Sequence, residues 1–107
     1  MKLEEIALTL IVHAGNAKSL SFEALKEAKT GNTEKAQDLL KEAKSEFLKA
    51  HHVQTEMLQK EANGSETKVN ILMVHAQDHL MGASLAMDLI EEMVCLYETI
   101  SKIEIRK

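Results

Sequence analysis

The chain has 107 residues, 45% apolar and 28% charged, with a net charge of −4 from 13 basic and 17 acidic side chains. That length suits a single domain over 1–107, folded and globular rather than disordered. With no basic patch, and with Phe22, Phe47 and Tyr97 as its only aromatic rings, it has neither the electrostatic footprint nor the stacking platform of a nucleic-acid binder.

The chain contains no proline and only four glycines, a composition that fits a protein made almost entirely of helix. The opening MKLEEIALTLIVHAGN is not a signal peptide. Acidic residues precede its short apolar stretch and His13 interrupts it. No segment approaches the ~20 apolar residues of a membrane span, so no membrane insertion is expected. A first helix is predicted over 3–30, with its core stripe at Leu3, Ile6, Leu10, Ala14, Ala17, Leu20, Ala24 and Ala28. In KTGNTEKA, Gly31 ends it with positive φ, and Asn32 or Thr33 caps the next. The second helix, 33–62, has its stripe at Ala36, Leu39, Leu40, Ala43, Phe47, Ala50, Gln54, Met57 and Leu58, opposite a solvated Lys- and Glu-rich face. In EANGSETK, Gly64 stops it and Ser65 caps a third helix over 66–104, about 55–60 Å long. Short links between long helices predict an all-α, antiparallel, up-down-up three-helix bundle.

The third helix carries two apolar seams. One runs Val69, Leu72, Ala76, Leu80, Ala83, Met87, Ile90, Val94 and Tyr97. The other runs Ile71, His75, Asp78, Gly82, Leu85, Leu89, Glu92, Leu96, Thr99 and Ile103. Their origins differ by about 200° around the helix, so one seam faces the bundle and the other has nothing in its own chain to pack on. Self-association through this helix covers it, as a parallel coiled coil around a symmetry axis, with the number of copies left open. Cys95, the only cysteine, allows no intrachain disulfide and fits a reducing cytoplasm.

The stretch MVHAQDHLMG places His75, Asp78 and His79 as helical neighbours inside an apolar run. If copies meet at Asp78, their carboxylates converge and must take up protons or share a cation. Oxygen ligands favour a hard ion such as Mg²⁺ over Zn²⁺. Spacing leaves three readings open. His75, Asp78 and His79 could hold a transition metal, although the HExxH pattern is absent. They could instead be a satisfied polar pin that fixes register. Or a histidine could take up a chemical group and pass it on.

The motifs themselves narrow the choice. VHAQDHLM resembles the signature of enzyme IIA of the lactose/cellobiose class of the bacterial phosphoenolpyruvate-dependent sugar phosphotransferase system. GNAKSLSFEALKEAKTGN in the first helix is similar to that family's G-x-A-R-S…EAL…AK-x-G-[DN]. EAKSEFLKAHHVQTEMLQKEANG in the second is similar to its A…AH-x-x-QT-x-L…EA-x-G. The resemblance implies a cytoplasmic phosphoryl carrier that assembles as a homotrimer through the third helix. It implies that His75 accepts phosphate from the carrier HPr and passes it to a cysteine of the IIB component, for uptake of a disaccharide. Asp78 then meets its two symmetry mates at one Mg²⁺ per trimer on the axis. His79, and in the same way Gln77, is read as a neighbour that orients or hydrogen-bonds. Alanine after the first histidine leans toward the cellobiose and chitobiose branch rather than the lactose branch. Lys18 stands where the family often has arginine and loses the bidentate fork. Thr33 stands where an aromatic residue is common. His51 matches the family's AH but is read as structural, and His13 and His52 as incidental. The competing reading is a non-catalytic, metal-binding helical oligomer with a structural His/Asp cluster.

Overall fold

A computed structural model describes residues 2–66 and 68–106, and the described residues form three helices and no strand. These are α1 (Leu3–Lys29), α2 (Thr33–Ala62) and α3 (Ile71–Arg106). The bundle is elongated, 61 × 21 × 19 Å, as expected when its longest helix has 36 residues. No helix among the described residues is long and apolar enough to cross a membrane.

Both links are built on a left-handed glycine, Gly31 at φ 86° and Gly64 at φ 98°. Each closes its helix with the same pair of backbone bonds. Asn32 N–H donates to Glu27 O and Gly31 N–H to Ala28 O, and Ser65 N–H donates to Lys60 O and Gly64 N–H to Glu61 O. This is the Schellman arrangement, and it needs positive φ at the residue that glycine occupies here. At the first link Asn32 also opens α2, its carbonyl accepting from Ala36 N–H. Its side chain turns back to donate to Glu27 Oε2 at 2.7 Å, so it caps α2 by position alone.

The second link corrects the expected start of the third helix. Ser65 belongs to the closure of α2 and does not cap α3. Asn70 does, its Oδ1 accepting from Met73 N–H at 2.9 Å and its backbone carbonyl from Val74 N–H at 3.0 Å. The helix therefore begins at Ile71 rather than 66, and Val69 leaves the core seam to stand 80% exposed in the link.

Helix α1 packs along both neighbours, whereas α2 and α3 meet much less. Small residues explain this. Ala7, Ala14, Ala17, Ala24 and Ala28 on α1 and Ala36, Ala43 and Ala50 on α2 are all buried, and they let axes approach to the short end of the ~8–10 Å range. Longer side chains stand between α2 and α3, including Leu40 and Met87 at one level and Met57 and Met73 at another. Of the expected core, Leu58 is on the exposed side of α2. Ser21, absent from the expected α1 stripe, is fully buried, its hydroxyl donating to Ala17 O at 2.9 Å.

The two seams of α3 separate cleanly. Ala76, Leu80, Ala83, Ile90 and Val94 are buried against the bundle. The second seam is exposed along its whole length, from Ile71 through Leu85, Leu89 and Leu96 to Ile103. An apolar strip this long on the surface of a single chain marks an interaction face.

Candidate functional site

The candidate residues sit in the second and third turns of α3, just after the Asn70 cap. The four residues of the first turn, Ile71 to Val74, carry no acidic side chain, so nothing there offsets the positive end of the helix dipole. At about 100° per residue, Asp78 lies in the middle of the exposed seam, His75 some 60° toward its edge, and His79 about 100° away. Burial follows this order, with His75 and Asp78 exposed and His79 half-buried.

The two histidines are brought together. Their Nε2 atoms are 3.0 Å apart, and the rings meet edge to face with centroids separated by 4.4 Å. One ring donates N–H and the other accepts it, the tautomer deciding which, so the lone pair of the accepting Nε2 is engaged within the pair. Asp78 belongs to neither ring's contacts and takes part in no ion pair among the described residues. No group of three or more His, Cys, Asp or Glu able to hold a metal occurs among the described residues of one chain. A cation at Asp78 would therefore draw further donors from outside this cluster, and the carboxylate oxygen suits a hard ion.

Gln77 points away from this pair. Its Oε1 accepts from Gln54 Nε2 of α2 at 2.7 Å, and its Nε2 lies 3.6 Å from Met73 Sδ. Lys18 is exposed on α1. His51 stacks on Phe47, with centroids 5.9 Å apart, and His52 lies 3.3 Å from Glu56. His13 Nδ1 is 3.2 Å from Glu46, which also accepts from Asn16 at 2.9 Å and pairs with Lys49 at 3.0 Å. The Lys49 and Asn16 hydrogen bonds hold the Glu46 carboxyl below its ordinary pKa. Two residues that bear on the site escaped the sequence reading. Asn70 directly before the apolar run ILMV was a legible cap signal, and Gln54, part of the QT motif, was read only as core.

Comparison with known proteins places the fold. The sequence pattern of the lactose/cellobiose-specific IIA subunits of the phosphotransferase system matches residues 5–98. The lichenan-specific phosphotransferase enzyme IIA component of Bacillus subtilis is 46% identical over 94% of this chain and 92% of its own. The crystal structure of the cellobiose-specific enzyme IIA from Bacillus anthracis superposes with a TM-score of 0.90 at 40% identity, covering 95% of this chain and 94% of that one. A chain in the solution structure of the IIA(chitobiose)–HPr complex from Escherichia coli superposes at 0.79 with 37% identity, covering 94% and 98%. The fold is thus that of a phosphotransferase-system component, a three-helix bundle. The chain belongs to the lactose/cellobiose-specific IIA family, whose members are phosphotransferase carriers.

Proposed function

We infer that this protein is the cytoplasmic phosphoryl carrier of a disaccharide phosphotransferase system, and that His75 is the residue phosphorylated. The observation that carries the reading is an exposed imidazole at the edge of an unpartnered apolar seam, with a second imidazole nitrogen 3.0 Å away. Buried structural histidines offer no such access to a partner's active site.

Phospho-HPr is the donor, in keeping with the HPr complex of the chitobiose relative. A lone pair on the His75 ring attacks phosphorus in line. The new N–P bond forms as the N–P bond to HPr's histidine breaks, and HPr leaves with a neutral ring. A thiolate of the IIB component then attacks phospho-His75, forming an S–P bond and returning His75 to its starting state. Such transfers rest mainly on alignment and on stabilising the phosphoryl oxygens. His79 holds the His75 ring through the Nε2 contact, and its N–H becomes available to a phosphoryl oxygen once the His75 nitrogen carries phosphorus. The N-terminal end of α3 lies one turn away and favours negative charge.

The carrier works as a homotrimer joined through the second seam of α3. Leu85, Leu89 and Leu96 pack on their symmetry mates, and three Asp78 carboxylates converge near the axis. The Asp78 carboxylates of the three copies would hold one Mg²⁺ per trimer, which would offset their mutual repulsion. His75, at the seam's edge, stays open to HPr and IIB. Kinship with lichenan, cellobiose and chitobiose carriers favours a β-linked disaccharide as the transported sugar.

The test is reconstitution with phosphoenolpyruvate, enzyme I and HPr. Acid-labile, base-stable phosphate is expected on the wild type and none on His75→Ala. Equal labelling of the two proteins, or none on the wild type, refutes the reading and leaves the non-catalytic helical oligomer.

A further inference from the structure

We propose that Gln54 is a positioning residue for phosphoryl transfer: its amide bond to Gln77 across α2 and α3 sets the rotation of α3's first turns and so aims His75. The inference rests on the carrier reading above and adds a residue to it.

Helices α2 and α3 touch little, and among the described residues only two side-chain hydrogen bonds join them. Gln37 Nε2 donates to Glu98 Oε1 at 2.7 Å, far from the histidines. Gln54 Nε2 donates to Gln77 Oε1 at 2.7 Å, in the same turns of α3 as His75. The second bond is half-buried, so solvent only partly replaces it when it is lost. It is also continued, because Gln77 Nε2 rests on Sδ of the buried Met73, whose own N–H is held by the Asn70 cap. Gln54, Gln77, Met73 and Asn70 thus form one chain from α2 to the N-cap of α3.

His75 and Gln77 are two residues apart, about 200° around the helix. Drawing Gln77 toward α2 therefore turns His75 outward on the opposite side. The core residues of these turns, Met73, Ala76 and Leu80, hold α3 against the bundle by apolar contact, which has no preferred direction. With an imidazole reaching about 5–6 Å from the axis, a 20° rotation moves the ring by roughly 2 Å. A displacement of ~1 Å can slow an aligned transfer by two orders of magnitude. A directional amide pair adds an angular constraint that non-directional apolar packing does not supply.

The experiment measures kcat and KM for phospho-HPr, thermal stability, and the ¹⁵N shifts of the His75 ring, in Gln54→Leu, Gln54→Glu and the wild type. Gln54→Glu preserves the pair, since the Gln77 amide can turn its N–H toward the new carboxylate. The expected result is at least a tenfold lower kcat in Gln54→Leu, KM within twofold of wild type, shifted His75 ring resonances, and recovery to within about threefold in Gln54→Glu. If Gln54→Leu does not fold, Gln54→Met replaces it. Wild-type kcat and ring shifts in the apolar variant, or a loss that Gln54→Glu does not recover, overturn the proposal while labelling of wild-type His75 leaves the carrier role standing. Absence of that labelling removes both.

Discussion

His75 and His79 share one face of α3 with their Nε2 atoms 3.0 Å apart and their rings nearly perpendicular, at 89°. A spacing of four residues places any two side chains in adjacent turns, but a nitrogen-to-nitrogen contact also requires one ring to donate and the other to accept. The two rings are therefore coupled, the tautomer of one setting the hydrogen-bonding role of the other.

Removing His79 should slow phosphorylation without moving it. In His79→Ala, rapid-quench measurement of phosphate transfer from phospho-HPr should show a rate lower by about tenfold or more, the usual range for losing a hydrogen bond to a charged group. Peptide mapping should still find the label on His75. Label on His79 in the His75→Ala protein would mean that the roles are reversed.

Asp78 stands in the middle of the exposed seam with no ion-pair partner among the described residues. Replacing converging carboxylates by apolar side chains removes both their repulsion and the need for a cation. Asp78→Leu should keep its oligomeric mass in chelator and melt at a temperature equal to or above that of the wild type. Sedimentation as single chains would contradict the assigned role.

Charge placed elsewhere on the same face should do the opposite. Leu85 is 62% and Leu89 51% exposed in one chain, and neither contributes to the core. Leu85→Asp or Leu89→Asp should shift the sedimentation mass from three times 11.9 kDa to 11.9 kDa while helical circular dichroism persists. A double variant that remains trimeric would place the interface elsewhere.

The Asn70 cap should matter for stability first. Asn70→Ala removes the acceptor for Met73 N–H and should cost about 1 kcal/mol, read as a fall in melting temperature of roughly 4–8 °C. Asn70→Asp, which keeps the acceptor, should restore most of the loss.

The α1–α2 cluster predicts a pH dependence with a definite sign. Glu46 is held below its ordinary pKa chiefly by the Lys49 hydrogen bond, then by Asn16. A carboxyl depressed in the folded state adds stability above its unfolded pKa and loses that contribution as pH falls through the folded value. Glu46→Gln should therefore melt below the wild type at pH 7, and the gap should close as pH is lowered through about 4 and beyond. A gap that is constant with pH would assign the effect to packing.

Much of this protein was legible in its letters because helices advertise themselves locally. The absence of proline, the glycines at 31 and 64, and apolar steps of three and four define the helices without reference to anything distant. The same periodicity divided α3 into a core seam and an unpartnered one, and placed Asp78 and His75 on the latter. The start of α3 was misread because two residues competed for one task. Ser65 looks like a cap, but α3 does not begin until Ile71, and Asn70 takes the role five residues later. Only the tertiary structure decides where side chains from different helices meet. Gln54 and Gln77 are 23 residues apart, and no periodicity within one helix says that their amides pair. The same holds for α1 as the central helix, since the alanines permit close approach on either side but only the packed bundle selects both. Local hydrogen bonding and burial patterns are written along the chain, whereas contacts between helices depend on how three long rods settle together.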